Sequence, residues 1–195
     1  GSYVVNDLVN IKKVKKVYLI DNFTSNRFNV LFNLKNNKLH FIFGDLTDSK
    51  FCKKIPKTNI VLHLASITNA EKSFENKNEL TKNNLGCLKN IMNYCIKNKS
   101  KLIHISSTSI YGPQKNFVSE NQKKLFPRSP YATVKLIEEK MLKKEKKINF
   151  ITLRFGTISG FSKGMRFHTA VNKFCLNTIL KIKIPIWGKS INLYR

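Results

Sequence analysis

Residues 129–135 read SPYATVK, which sets Tyr131 and Lys135 four positions apart. On a helix that spacing puts both side chains on one face, one turn apart. The chemistry open to such a pair is proton transfer. A tyrosine hydroxyl ordinarily ionises near pH ~10, too high for a base at neutral pH. A neighbouring ammonium favours the phenolate and narrows that gap. The same spacing arises in many helices, so by itself the pair points first to two ordinary helical residues.

Other polar residues cluster at one kind of place. Asp21 follows the apolar run VYLI, Gly44-Asp45 follows HFIF, Ser66 and Thr68 follow IVLHLA, and Ser106-Ser107-Thr108 follow LIHIS. In open α/β sheets, ligands bind at the carboxyl ends of the strands. One polar residue after a run is an ordinary loop residue; four such sites in succession suggest a single crevice. An acid like Asp21, at the end of a second strand of a dinucleotide fold, hydrogen-bonds ribose hydroxyls and repels a 2′-phosphate, which favours NAD over NADP. Asp45 could meet the adenine edge. A helix cap or a turn is the other reading of both acids.

These residues need a scaffold, and the chain supplies its signals. The runs at 17–20, 40–43, 60–65, 102–106 and 150–154 are short and rich in Ile, Leu, Val and Phe, as strands buried on both faces are. Between them lie helix-like segments, Tyr3–Lys16, Phe28–Asn36, Leu80–Asn98 and Tyr131–Lys146. The alternation predicts an α/β fold with a parallel sheet and right-handed crossovers. Ser129 suits a helix cap and Pro130 the first helical position, with Val134, Ile137 and Met141 as an apolar stripe.

Composition bounds the rest. The chain has 195 residues, enough for a sizeable core, and its hydrophobic fraction of 42% is ordinary for a globular protein. No stretch reads as a membrane span or a signal peptide, so the cytoplasm is the expected compartment. Cys52, Cys87, Cys95 and Cys175 lack metal-like spacing, and no metal is expected. The net charge of +25 comes from lysines scattered among asparagines, as in IKKVKK and LKKEKK. That pattern reads as solvated faces rather than a nucleic-acid surface.

Seven segments carry a resemblance in order and spacing: LIDNFTSN, FGDLTD, VLHLASIT, NNLGCLKNI, HISSTSIYG, SPYATVKLIEE and LRFGTISG. Together they resemble the NAD-dependent nucleotide-sugar epimerase/dehydratase family of extended short-chain dehydrogenases/reductases. The resemblance implies a Rossmann-type doubly wound parallel sheet. It makes Ser107, Tyr131 and Lys135 catalytic. It implies NAD held along Gly1, Asp21, Asn22, Asp45, Leu46, Leu64, Ala65, Ser66, Asn83 and Lys135. A nucleotide-diphosphate sugar would meet Thr68, Thr157, Arg166, Asn172 and Arg195, and the full-length protein would form a homodimer.

The resemblance also sets limits. Gly1 aligns with the third glycine of the family's GxxGxxG turn, so the first strand and most of that turn are expected to be absent. Residues 1–158 then form the NAD-binding domain, and 159–195 begin a truncated substrate region. The implied activity is epimerisation at C4 of a hexose, feeding surface-polysaccharide synthesis. A 4,6-dehydratase would carry Asp-Glu directly after its catalytic hydroxyl; here stand Thr108 and Ser109. Thr157 replaces the asparagine usual in UDP-sugar epimerases. A reductase or decarboxylase of the same fold, and a non-catalytic basic nucleic-acid-binding protein, are the alternatives.

Overall fold

The computed structural model describes residues 1–24, 36–70, 72–162, 165, 167 and 169–184. They group into two compact units. One comprises Gly1–Gly44 with the segment from Thr157 onward, the other Asp45–Gly156.

In the first unit, helix α1 (Ser2–Asn10) buries Val5 and Val9, one turn apart, and packs on strand β1 (Val17–Asp21). Strand β2 (Leu39–Phe43) pairs parallel with β1, from Val17 opposite Leu39 to Asp21 opposite Phe43. The helix expected through Lys16 stops at Asn10. Beyond it, KKVKK offers one apolar side chain among four ammoniums, and like charges at helical spacing repel. Lys38 Nζ closes the end by donating to the carbonyls of Val9 and Ile11, each at 3.1 Å. Those are among the carbonyls a helix C-terminus leaves unbonded. The predicted helix at 28–36 falls, apart from Asn36, outside the described residues. Helix α5 (Ala170–Ile179) completes this unit.

The second unit begins with the short helix α2 (Ser49–Cys52). Strand β3 (Ile60–His63), helix α3 (Lys77–Asn98), strand β4 (Lys101–Ser107), helix α4 (Pro130–Lys144) and strand β5 (Phe150–Phe155) follow. Its sheet is parallel in the order β3-β4-β5, with His63 opposite His104 and Ser106 opposite Arg154. Leu80, Leu88, Leu102, Ile110 and Leu142 form the fully buried apolar core. Helices α3 and α4 pack on each other and on β4.

The described strands form two parallel sheets, one in each unit. Burial on both strand faces does not hold for β5. Its face toward α4 carries Arg154, which is bonded to Glu139; the alternate residues Ile151, Leu153 and Phe155 are 42%, 37% and 41% exposed. Cys52, Cys87 and Cys95 are buried free thiols, and Cys175 is exposed. Among the described residues, no helix is long and apolar enough to cross a membrane.

Candidate active site

Helix α4 starts as its sequence requires. Ser129 Oγ accepts from the Ala132 N–H at 3.1 Å, and Pro130 occupies the first turn. The Tyr131 N–H donates to Ser73 Oγ at 3.3 Å, and Ser73 in turn donates to the Ala70 carbonyl. The loop after β3 is thereby fastened to the first turn of α4.

The buried face of α4 is not the expected apolar stripe. Val134 is buried, but Ile137 is exposed, and the inward positions include Lys135, Glu138 and Glu139. A buried charge must be paired, and each of these is. Lys135 Nζ lies 5.9 Å from the Tyr131 ring centroid and donates to Glu138 Oε2 at 2.8 Å. Glu138 Oε2 is also 3.3 Å from His104 Nε2, a close contact short of hydrogen-bond geometry. Burial pushes the Glu138 carboxyl up, but His104 and Lys135 outweigh it and hold the group below its ordinary range. The His63 ring stacks on His104 at 6.1 Å. Burial, reinforced by His104 and Lys135 and opposed by Glu138, lowers the His63 imidazole to about 3. Among the described residues, Lys135 is the one lysine that is buried.

Glu139 faces β5. Arg154 binds it through Nε to Oε1 at 2.9 Å and Nη2 to Oε2 at 2.7 Å. Nη1 donates to the Tyr111 hydroxyl at 2.9 Å and to the Glu120 carbonyl at 3.3 Å. This fork locks α4 to the turn after β4.

That turn carries Ser107. A 3-10 turn spans Thr108–Tyr111, and Ser107 caps it. Ser107 Oγ accepts from the Ser109 N–H at 3.2 Å and from the Ser109 hydroxyl at 2.8 Å. With two bonds arriving at its oxygen, the Ser107 O–H is the function left to act outward. Gly112 ends the turn at φ 63° and ψ −162°, a region essentially restricted to glycine. A Cβ there would lie 1.8 Å from the Phe126 carbonyl oxygen. Helix α4 packs directly against this turn, so Ser107, Tyr131 and Lys135 sit on adjoining elements of one unit.

The segment after β3 presents Leu64 exposed and Ala65, Ser66 and Thr68 half-buried. Asn84, fully buried, brackets this loop: Oδ1 accepts from the Ile67 N–H at 2.8 Å and Nδ2 donates to the Ile67 carbonyl at 3.1 Å. Asn83, the residue singled out from the sequence, donates to Asn84 Oδ1 at 3.0 Å. Asp45 Oδ1 accepts from the N–H and hydroxyl of Thr47, each at 2.7 Å, and Leu46 is buried beneath. Asn90 on α3 donates to the Leu46 and Thr47 carbonyls, fixing that turn.

In the other unit, Gly1 caps α1. Asp21 ends β1, and its Oδ1 accepts from the Phe23 N–H at 2.8 Å. Asn22 Oδ1 accepts from the N–H and hydroxyl of Thr24. Asn172 is buried and accepts from the Gly160 N–H at 3.1 Å, while Thr157 is exposed. Arg166 and Arg195 lie outside the described residues. Sequence reasoning missed Ser73, Asn84, His104, Ser109, Glu138, Glu139 and Arg154. None of these left a signal in the sequence that marked it as functional, since the inward side of α4 is set by partners on other strands.

Residues 1–194 match the NAD dependent epimerase/dehydratase family. The chain belongs to that family. It is 28% identical over 185 residues to the uncharacterized UDP-glucose epimerase YtcB of Bacillus subtilis, covering 89% of this chain and 58% of that protein. It is 30% identical over 183 residues to the dTDP-D-glucose 4,6-dehydratase of Dictyostelium discoideum, of which it covers 42%. Among solved structures, the UDP-N-acetylglucosamine 4-epimerase of Methanobrevibacter ruminantium aligns with a TM-score of 0.84 at 26% identity, over 97% of this chain and 62% of that one. The UDP-glucuronic acid 4-epimerase of Bacillus cereus, in complex with UDP-glucuronic acid and NAD, aligns at 0.82 and 26%. The fold is the Rossmann type of these enzymes, and the family's cofactor is NAD.

Within the second unit the donors suit that cofactor: small and hydroxyl residues follow β3, and a buried ammonium lies beside Tyr131.

Proposed function

We propose that the protein carrying this chain is an epimerase of a nucleotide-diphosphate sugar, acting at C4 of a hexose. Tyr131 is its proton acceptor and donor. The observation that carries this reading is Lys135. It is buried in a chain of 36 lysines and arginines, and it is held one turn from the tyrosine. Burying one ammonium against the general pattern costs desolvation, which a catalytic task justifies.

NAD, when bound, accepts hydride from the sugar carbon and returns it. Tyr131 Oη takes the proton of the neighbouring hydroxyl as hydride leaves, and gives it back as hydride returns. The Lys135 ammonium favours the phenolate and binds the nicotinamide ribose. Ser107 donates its O–H to the reacting oxygen and fixes its place. Asp21 meets the adenosine ribose, and Asn83, Asp45, Leu46 and the 64–66 segment line the cofactor. Thr68, Thr157, Arg166, Asn172 and Arg195 serve the substrate side, and the enzyme works as a homodimer. Thr108 and Ser109 supply neither acid nor base at neutral pH, which favours epimerisation over dehydration.

The test is made on the complete protein. Tyr131→Phe keeps the ring and should lower turnover by ~10²–10⁴ while NAD affinity is retained. No net NADH should accumulate, which separates epimerase from reductase. Near-wild-type epimerisation by Tyr131→Phe would falsify the reading. Titration should show NAD(H) bound more tightly than NADP(H), with the preference narrowed in Asp21→Ala.

A further inference from the structure

We propose that Glu138 is the positioning residue of this site: its carboxylate holds the Lys135 ammonium where Tyr131 and the cofactor ribose need it. The inference rests on the catalytic reading of Lys135. Lysine has four rotatable bonds, and its ammonium is a point charge with no built-in direction. Proximity to Tyr131 therefore does not by itself fix Nζ. Glu138 does so through a 2.8 Å bond from the same helix, with the two side chains 5% and 1% exposed.

Glu138 is itself confined. It lies one turn beyond Lys135, on the inward face of α4. His104, fully buried on β4, places Nε2 3.3 Å from the same Oε2. His104 Nδ1 has no hydrogen-bond partner among the described residues, and its Nε2 edge approaches Glu138. His63 on β3 stacks behind His104. From α3, the Cys87 thiol is buried; burial first, then Asp45, Cys52 and Glu138, push it up to about 12, so it stays uncharged. Among the described residues, Lys135 is thus the one cation hydrogen-bonded to Glu138, and the acid is 1% exposed. A solvated surface pair would leave Nζ free to wander. This one ties Nζ to a buried partner, and a reacting geometry tolerates little displacement.

The experiment is a double-mutant cycle on the complete protein, reading both kcat and NAD affinity, with a thermal melt to confirm folding. Glu138→Gln keeps the shape and removes the charge. It should lower kcat by ~10²-fold, the loss that a misplacement of about 1 Å produces, and weaken NAD binding. In a Lys135→Met background the same substitution should change either quantity less than twofold, because the group it positions is gone. Glu138→Asp keeps the charge but falls one methylene short, and should recover only part of the loss. It also carries the cycle if Glu138→Gln does not fold. An equal loss in both backgrounds would make Glu138 merely structural and overturn the proposal. So would wild-type behaviour of Glu138→Gln beside an impaired Lys135→Met, which leaves the catalytic reading standing. A Lys135→Met protein as active as wild type would overturn both.

Discussion

Arg154→Met should lower the melting temperature of this chain more than any surface substitution. The guanidinium makes four hydrogen bonds, two to Glu139, one to the Tyr111 hydroxyl and one to the Glu120 carbonyl. The two charged side chains are 11% and 3% exposed. Methionine fills similar volume without the charge, so the loss is electrostatic rather than a cavity. Burial pushes the Glu139 carboxyl up, while Arg154, Ser106 and Lys143 hold it below its ordinary range. Removing Arg154 takes away the largest of those supports and leaves a buried acid. Breaking one side of a buried pair costs ~3–5 kcal/mol. For a chain of this size, each kcal/mol moves Tm by ~2–4 °C, giving a fall of roughly 6–20 °C. The partner change Glu139→Gln should cost about as much. The double variant Arg154→Met/Glu139→Gln should cost less than the two added, because no charge is stranded. Melts followed by circular dichroism give all four values. Additive losses would refute the argument, since they would show that the two charges do not act as a pair.

Three further outcomes follow from the geometry. His63 stays neutral in the folded chain down to about 3, against an ordinary 6.5. The unfolded chain therefore takes up a proton first as pH falls, and stability should drop below pH 6.5, by about 2 kcal/mol at pH 5. Urea midpoints across that range should show a flatter slope for His63→Asn; an unchanged slope would count against it. Gly112→Ala forces a side chain into a glycine-only conformation against the Phe126 carbonyl, and should destabilise by roughly 1–3 kcal/mol in denaturant melts. Asn84→Leu strands the Ile67 amide and carbonyl at ~1–3 kcal/mol, and hydrogen exchange at the Ile67 N–H should accelerate; wild-type protection there would sink the bracketing role.

The sequence disclosed whatever depended on local signals. Ser129 and Pro130 announced the start of α4, and five apolar runs announced the five strands to within a residue or two. Motif spacing brought Ser107, Tyr131 and Lys135 to one unit. What stayed hidden depended on long-range pairing. Lys135, Glu138 and Glu139 read as three charges on a lysine-rich helix, and only their partners His104 and Arg154, on other strands, turn that face inward. The predicted stripe failed at Ile137 for the same reason. Asn84 and Asn83 are indistinguishable as neighbours in a row, and burial alone separates the clamp from its donor. The helix α1 ran short because Lys38, many residues downstream, supplies its terminus.

The alternate face of β5, with Ile151, Leu153 and Phe155 each more than a third exposed, bears on how this chain behaves in concentrated solution. An apolar strand face attracts its like in other molecules. The net charge of +25 opposes that approach by mutual repulsion. The two effects differ in range and in response to ions. The repulsion is screened within ~8 Å at physiological ionic strength and within ~3 Å at 1 M, whereas the apolar attraction is strengthened by sulfate and phosphate. Dilute buffers therefore preserve the repulsion, whereas concentrated sulfate removes it and strengthens the apolar attraction.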